Sequence, residues 1–371
     1  MAGWNGKQGL NDVHTLDIDT WTWGRRSCTG SAPTARNNHA TFVVGKRVFV
    51  HGGHDGTKWL DDLHVLDTER WHWQVPHCAG EYPCARACHT ITVVGRKAYL
   101  LGGYDGTRCF NELDALDLDT MTWFKPRVSG DPPLARNAQS VTAVGNKLFL
   151  FGGHSGQRHL RDLHVLDTET MTWSSPPVSG REPPGLRGHT ATLVGDRIVI
   201  FGGYDGRGRS NDLYVLDTAT MAWEHPSANE STPPGRQRHT ACLLGSTQLL
   251  VFGGFDGFKW LDDCHILDFG RLKRDAIERS AIDSLLSHLA TLVDNPASFP
   301  DVAFRVEGRK ACAHRAILAA RSTMFADMFS SSMREGGGAG GEAMVEIDFP
   351  DWTYRAFRAM LEFLYSGADR D

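Results

Sequence analysis

One stretch recurs through most of this 371-residue chain and limits the folds that the chain can adopt. Its clearest copy reads Phe-Gly-Gly-Tyr-Asp-Gly from Phe201 to Gly206, and a strand pattern follows at 211–217. The second glycine returns every 50 or 51 residues, at Gly53, Gly103, Gly153, Gly203 and Gly254. A repeat of about fifty residues that holds several short strand patterns is the signature of β-propeller blades.

Composition excludes several other classes of protein. The 40 glycines are separated by apolar runs, which fits a turn-dense β structure rather than disorder. A formal net charge of −5 gives no global field that would attract nucleic acid or an anionic membrane. No apolar run approaches the roughly eighteen residues of a membrane-spanning helix. Eight cysteines without paired spacing indicate reduced thiols, and therefore a cytoplasmic or nuclear protein.

Each complete repeat predicts four strands, here called a to d. In the fourth complete repeat, strand a is 189–194, strand b is 197–201, and strand c is 212–217 with alternating apolar residues. Strand d carries a tryptophan that offers a large apolar area for packing one sheet on the next. Glycine pairs at the end of strand b permit positive φ or close approach of a neighbour. These scaffold positions are Gly52, Gly53, Trp73, Gly102, Gly103, Trp123, Gly152, Gly153, Trp173, Gly202, Gly203, Trp223, Gly253 and Gly254.

The motif Gly-Gly, Asp-Gly, Asn-Asp-Leu, Leu-Asp and Trp resembles the kelch repeat over residues 1–274. The chain begins inside a motif, so we interpret Met1 as a truncated or mis-assigned start. The last repeat has Arg274 where the tryptophan should be, so its fourth strand is predicted to be weak or missing. The partial first and last repeats do not merge into one blade. We therefore expect a six-bladed parent propeller cut at its N-terminus, and closure of the ring is not predicted.

The pattern changes after residue 274. Apolar residues at helical spacing predict an amphipathic helix within 275–296, which packs either on the following domain or on a partner chain. Residues 297–371 then read as two strands joined by a Glu-Gly turn, a helix at 316–329, a strand at 344–349 and a helix at 353–365. Asp301-Val302, His314-Arg315, the run at 318–322, and the Leu-Tyr-Ser-Gly at 364–367 resemble a BTB/POZ domain that is C-terminally incomplete. The predicted fold is an all-β propeller followed by an α+β domain.

The order of the two domains, with the propeller first and the BTB domain second, is similar to that in the leucine-zipper-like regulator family of kelch–BTB proteins. The resemblance implies a homodimer and a cullin-family scaffold as a partner. Cullin-recruiting BTB domains carry an apolar-x-Glu signature, which Met333 and Glu335 match by position before a glycine-rich insert at 336–341. The 275–296 helix matches the extra first helix of BTB dimers, which assigns dimerisation to Ile277, Ile282, Leu285, Leu286 and Leu289.

Two groups of residues suggest metal binding, and for each a structural role is the stronger reading. His39, His89, His189 and His239 share one repeat position with Gln139, as residues of a regular strand would. The group His77, Cys78, Cys84, Cys88 and His89 lacks the paired spacing of a zinc site. The metal-ligand pattern of iron-dependent kelch enzymes is absent from the sequence. We therefore predict no catalytic residue, no metal and no cofactor.

The residues that follow each Asp-Gly-type turn are the predicted recognition surface. If the blades share an orientation, basic and aromatic side chains form a rim on one propeller face, where arginine and tryptophan are typical of binding hot spots. The alternative is a solvated rim with aromatics packed between loops. The rim residues are Lys58, Trp59, Arg108, Phe110, Arg158, His159, Arg207, Arg209, Lys259 and Trp260.

The sequence thus favours an interaction protein over an enzyme. The first hypothesis is an adaptor whose propeller binds a client protein of acidic or phosphorylated character, while the BTB domain dimerises and recruits a cullin-RING ubiquitin ligase. The alternative is a cytoskeletal, actin-associated or signalling scaffold. A kelch-fold metalloenzyme ranks last. Neither nucleic acid nor membrane insertion is expected.

Overall fold

The fifty-residue period becomes a series of small, largely antiparallel sheets, here called blades 1 to 6 in chain order. The computed structural model describes residues 3–226, 232–269, 285–286, 288–293, 295–335 and 345–366, with only the backbone at 296 and 331–335. The chain divides into two units, Met1–Phe269 and Gly270–Asp371. All six blades lie in the first unit. The predicted boundary at 274 and most of the predicted helix at 275–296 lie outside the described residues.

Blades 2 to 5 each hold five strands, one more than predicted. Blade 2 comprises β5 (Thr29–Gly30), β6 (Ala40–Val44), β7 (Arg47–His54), β8 (Trp59–Asp67) and β9 (His72–Gln74). Blade 3 comprises β10 (Ala79–Gly80), β11 (Thr90–Val94), β12 (Lys97–Leu101), β13 (Leu113–Asp117) and β14 (Thr122–Phe124). Blade 4 comprises β15 (Ser129–Gly130), β16 (Ser140–Val144), β17 (Lys147–Phe151), β18 (Leu163–Asp167) and β19 (Thr172–Ser174). Blade 5 comprises β20 (Ser179–Gly180), β21 (Thr190–Val194), β22 (Arg197–Phe201), β23 (Leu213–Asp217) and β24 (Ala222–Glu224).

The additional strand is a two-residue edge strand that precedes strand a in the chain. In blade 4, β15 pairs in parallel with strand d at the edge opposite to strand a. Its glycine, Gly130, has φ +83, and a Cβ there would lie 2.0 Å from the Trp173 carbonyl oxygen. Only glycine fits this approach, and the equivalent glycines of the other three blades make the same one.

Blades 1 and 6 are incomplete within the described residues, yet they lie side by side. Blade 1 comprises β1 (Gly3–Trp4), β2 (Gly9–Leu10), β3 (Val13–Asp17) and β4 (Thr22–Arg26). Blade 6 comprises β25 (Thr240–Leu244), β26 (Gln248–Phe255) and β27 (Trp260–Asp268). The Trp23 ring of blade 1 lies 4.9 Å from the Phe252 ring of blade 6, centroid to centroid. Closure, which the repeats did not predict, therefore occurs through side-chain packing.

The tryptophans of strand d form the core between blades. Trp73, Trp123, Trp173 and Trp223 are all buried. The Trp123 ring packs against His51 on strand b of the preceding blade, and Trp223 packs against Phe151 in the same way. Trp23 and Phe252 repeat this contact, which places blade 1 after blade 6 around the ring. Both glycines of all five pairs have positive φ.

Buried arginines hold the loops in front of strand a, and the sequence reading did not identify them. Arg36, Arg136 and Arg236 are at most 1% exposed. The guanidinium of Arg136 donates to the Gly152 carbonyl and to both carboxylate oxygens of Asp162. Arg36 and Arg236 bind Asp62 and Asp263 in the same geometry. Burial acts to raise the pKa of Asp162, but the hydrogen bonds from Arg136 and His164 outweigh it and hold that pKa below its usual range.

The second unit has an α+β core. Its three-stranded sheet comprises β28 (Val302–Val306), β29 (Arg309–Ala313) and β30 (Val345–Asp348), with β28 in the centre. A short 3₁₀ helix at Pro296–Ser298 precedes it, and the α-helices are α1 (Arg315–Arg321), α2 (Thr323–Glu335) and α3 (Tyr354–Ser366). The single helix predicted at 316–329 is two helices, because Ser322 has extended backbone. Phe304, Phe325 and Phe357 pack together at the centre.

No helix among the described residues is long and apolar enough to span a membrane. All eight cysteines are free thiols. The overall architecture, a multibladed all-β propeller followed by an α+β domain, confirms the predicted fold class.

Candidate functional site

Turns between strands b and c present the basic side chains of the predicted rim. In blade 3 the Asp105 carboxylate accepts hydrogen bonds from the backbone N–H groups of Thr107 and Arg108, which closes the turn. Asp55, Ser155, Asp205 and Asp256 cap the other turns in the same way. Because the turn backbone is fixed from within, the side chains beyond it are directed outward. The exposed basic residues are Lys58, Arg108, Arg158, Arg207 and Lys259.

Half-buried side chains interleave between neighbouring blades just beside these turns. The Trp59 ring packs on His54 of its own blade and on Tyr104 of the next, at centroid distances of 4.7 and 6.3 Å. His159 packs in the same way on His154 and Tyr204. A Cβ at Gly106 would lie 2.5 Å from the Trp59 ring, so the glycine of the Asp-Gly turn makes room for its neighbour.

The interleaved row continues into blade 6. Arg209 places its Cζ 4.8 Å from the Tyr204 ring centroid and 5.2 Å from that of Phe255. Trp260 packs on Phe255 at 5.1 Å. The predicted residues Trp59, His159, Arg209 and Trp260 therefore occupy one repeat position between blades, partly covered rather than freely exposed.

Phe110 does not belong to this surface, and its placement on the rim was wrong. It is 1% exposed and lies beneath Arg86, whose Cζ is 4.0 Å from the ring centroid. Its equivalents in blades 2 and 4 are the buried Leu60 and Leu160. The residue that corresponds to Trp59 in blade 3 is Cys109, whose Sγ contacts the His154 carbonyl oxygen at 3.7 Å.

A chain of backbone hydrogen bonds runs around the propeller axis at the start of each strand a. The N–H of Cys88 donates to the Asn38 carbonyl, Ala138 to Cys88, Gly188 to Ala138, and Arg238 to Gly188, with N···O distances of 2.7–2.9 Å. All five residues have φ between +52 and +63. They line one cavity of about 1100 Å³, together with Trp4 and Asn5 of blade 1 and Trp260 of blade 6.

The four histidines that share one repeat position line this cavity, and the Nε2 atoms of His89, His189 and His239 contact scaffold side chains. His189 Nε2 lies 2.8 Å from Ser140 Oγ, and His239 Nε2 lies 2.9 Å from Thr190 Oγ1. Burial lowers the pKa of His39 and of His189 to about 4. Burial, followed by the charge of Arg236, lowers the pKa of His239 to about 3.

In the described part of the chain, the structure does not support metal binding by either of the two residue groups considered in the sequence analysis. His89 Nε2 lies 3.0 Å from His51 Nδ1. Gln139 fills the histidine position of blade 4 and donates to the Leu101 carbonyl. No three histidine, cysteine, aspartate or glutamate residues among those described gather closely enough to hold an ion.

Two arginines on this face were not predicted from the sequence. Arg187 stacks on the Tyr204 ring from blade 5, with its Cζ 5.2 Å from the ring centroid, and Arg238 adjoins it in blade 6. The signal that could have found them is a break in the repeat. The equivalents of Arg187 are Asn37, Ala87, Asn137 and Gln237, and those of Arg238 are Asn38, Cys88, Ala138 and Gly188.

The second unit carries the residues assigned to dimerisation and cullin binding. Met333 and Glu335 lie on the last turn of α2, and their side chains are outside the described part of the structure. Ile277 and Ile282 are likewise outside it. Leu285 is 57% exposed, whereas Leu289 packs with Leu292 and Val293 on the core of its own unit. Leu286 is half-buried.

Comparison with known proteins agrees with both units. The profile of the KLHDC2/KLHL20/DRC7 Kelch-repeats domain matches residues 2–153 and 88–295, and that of the BTB/POZ domain matches 291–370. Human Kelch domain-containing protein 2 is 49% identical over 53 residues, 14% of this chain and 13% of that protein. The Drosophila melanogaster leucine-zipper-like transcriptional regulator 1 homolog is 37% identical over 54 residues, 15% of this chain and 6% of that protein.

A third relative, human Host cell factor 1, is 46% identical over 44 residues, 12% of this chain and 2% of that protein. The matched segments thus span only a small part of each relative. Kelch repeats joined to a BTB domain are typical of non-catalytic adaptors that act through protein–protein interaction. The chain belongs to the family of kelch-repeat proteins, and it carries a C-terminal BTB/POZ domain.

Proposed function

We propose that this chain is a substrate adaptor of a cullin-RING ubiquitin ligase. The propeller binds a client protein, and the BTB domain dimerises and recruits the cullin scaffold, so that the client is ubiquitinated in the cytoplasm or nucleus. The observation that carries the proposal is the presence, in one chain, of a loop-built propeller face and a BTB domain with an apolar-x-Glu segment at the end of α2.

On the client side, five exposed basic side chains surround the half-buried row that contains Trp59 and Trp260. Charged rims raise association rates with oppositely charged partners, and buried aromatics supply contact area. The client is therefore expected to present an acidic or phosphorylated surface to this face. Proximity labelling with the chain in cells would name candidates for direct binding measurements.

Once a client protein has been identified, charge reversal tests this surface. The K58E/R108E/R158E variant should slow association and reduce its salt dependence. The matched control is K46E/R96E/K147E, which makes the same charge change near the turns between strands a and b, at the opposite ends of the strands. Equal effects of the two variants, or no effect of the first, would contradict a role for this rim.

On the ligase side, the test is binding of a purified cullin N-terminal domain to the full chain by biolayer interferometry. M333A and E335K should weaken binding at least about tenfold, since each removes one of the two signature contacts. D327K makes a similar charge change at an exposed position of the same helix and should retain binding. A dimeric chain that retains no cullin domain would contradict the ligase role.

A further inference from the structure

Three arginines converge where blades 5 and 6 meet on the loop face. Arg187 and Arg209 both stack on the Tyr204 ring, with Cζ-to-centroid distances of 5.2 and 4.8 Å. Arg238 joins them through its backbone N–H, which donates to the carbonyl of Gly188, the residue after Arg187. A Cβ at Gly257 would lie 2.9 Å from Arg209 Nη1, so Arg209 reaches across from blade 5 to blade 6.

This cluster has no ion-pair partner within the described residues. Arg187, Arg209 and Arg238 form none of the ion pairs found there, and the Nε atoms of Arg187 and Arg209 are buried without a hydrogen-bond partner. The carboxylate of the nearby Asp205 accepts the backbone N–H groups of Arg207 and Gly208 on Oδ1, and it forms none of the ion pairs found among the described residues. The contrast with the scaffold arginines is sharp, because each of Arg36, Arg136 and Arg236 has its own aspartate.

Repeat equivalence separates these residues from the scaffold. The positions that build the blades recur in most repeats, whereas each of these three positions holds a neutral or aromatic residue in blades 2 to 6 apart from its own. For Arg209 the equivalents are Trp59, Cys109, His159 and Trp260. Packing does not require the three positive charges, since the other blades fold with neutral residues at these positions.

Electrostatics makes the unliganded cluster costly. Burial lowers the pKa of Arg187, and the charges of Arg238 and Arg209 lower it further. Like charges held together in a partly desolvated site oppose each other until an anion binds. Guanidinium groups offer forked donors that match a phosphate, and such charge-assisted hydrogen bonds are the stronger ones.

We propose that Arg187, Arg209 and Arg238 bind the phosphate group of a phosphorylated residue in the client. A phosphate carries about −1.5 to −2 charge at neutral pH, which offsets three guanidinium groups better than a single carboxylate does. Arg238 is exposed and lines the axial cavity, so the site opens on the same face as the basic rim. The inference rests on the proposed client-binding role, and it makes client capture dependent on phosphorylation.

The test uses the full chain and three fluorescent peptide libraries of otherwise degenerate sequence, centred on phosphoserine, serine or glutamate. Fluorescence polarisation should show at least about tenfold tighter binding of the phosphoserine library, which inorganic phosphate competes away. The variants R187N, R209H and R238A should each lower that affinity about tenfold. These variants introduce the residues that blade 4 holds at positions 137, 159 and 138, so the propeller should fold.

R96Q removes one exposed positive charge from the turn between strands a and b, at the opposite ends of the strands, and should change affinity by less than about twofold, because exposed charges away from the site are screened. Equal binding of the phosphoserine and glutamate libraries, no binding of the phosphoserine library, or equal losses in R96Q and R187N would overturn the inference. Binding of ATP or of phosphoinositide vesicles at these arginines without phosphopeptide binding would also overturn it. Cullin binding by R187N should be unchanged, so failure here leaves the ligase proposal to its own test.

Discussion

Both carboxylate oxygens of Asp162 accept hydrogen bonds from Arg136, whose Nη1 and Nη2 each lie 2.8 Å away. The arginine is 1% exposed, and blade 5 has Leu186 in its place. There the equivalent Asp212 accepts instead from Ser210 Oγ and lies 3.3 Å from His225 Nε2. One fold therefore contains both the ion-paired and the apolar version of the same position.

D162A should lower the free energy of unfolding of the propeller by about 3–5 kcal/mol, because it leaves a buried arginine without its counter-ion. D212A leaves no buried arginine without a counter-ion, so it should lower the free energy of unfolding by only about 1 kcal/mol or less. The R136L/D162A double variant replaces the buried arginine with leucine, the residue that blade 5 has at 186, and should recover much of the loss. Chemical denaturation followed by tryptophan fluorescence measures all three, and equal costs for D162A and D212A would contradict the assignment.

G130A should destabilise the propeller more than a surface glycine replacement does. A Cβ at Gly130 would lie 2.0 Å from the Trp173 carbonyl oxygen, and the backbone φ of +83 is itself unfavourable for alanine. The expected loss is about 2 kcal/mol or more. G208A is the control, because a Cβ there meets nothing within 4 Å and should be neutral or slightly stabilising. Thermal melting of the two variants would show no difference if the edge strand were not held in place.

Acid should weaken the propeller through its buried histidines. The pKa of His189 is about 4 in the folded chain and about 6.5 when unfolded, so the unfolded state takes up the proton first as the pH falls. The stabilisation is complete above pH 6.5 and is lost between pH 6.5 and 4, by on the order of 3 kcal/mol for this residue. H189Q carries the residue that blade 4 has at position 139. Between pH 6.5 and 4 this variant should lose on the order of 3 kcal/mol less stability than the unchanged protein. Identical pH profiles of the two proteins would contradict this prediction.

The BTB core depends on a buried tyrosine. Tyr365 Oη accepts the backbone N–H of His314 at 2.7 Å and lies 2.9 Å from His314 Nδ1. Y365F should cost about 1–3 kcal/mol, since it leaves a partly buried N–H without its acceptor. F363A, at a residue that is 46% exposed on the same helix, should cost less. Hydrogen exchange at His314 reports the effect locally, and unchanged protection would contradict it.

The sequence predicted the blades because every blade repeats the same local pattern of short strands, glycine pairs and tryptophan. It did not predict the two-residue edge strands such as β15, since two residues carry no alternation. Ring closure through Trp23 and Phe252 also stayed hidden, because it depends on packing between distant segments. Phe110 was misplaced because it was chosen for its residue type and not for its register with Leu60 and Leu160.

The candidate site divides in a similar way. The basic rim follows from counting residues after each Asp-Gly turn, so the sequence could identify it. Arg187 and Arg238 were missed because a search for recurring features passes over positions that depart from the repeat. In a repeat protein, recurrence marks the scaffold, and a charged exception to it is the better indication of a binding residue.

The most direct test of the adaptor proposal is the mass of the full chain by light scattering, alone and with a purified cullin N-terminal domain. The proposal predicts a particle of two chains that gains two cullin domains. The E335K variant should stay dimeric and gain none. A chain that remains monomeric, or a dimer that gains no cullin domain, would contradict it.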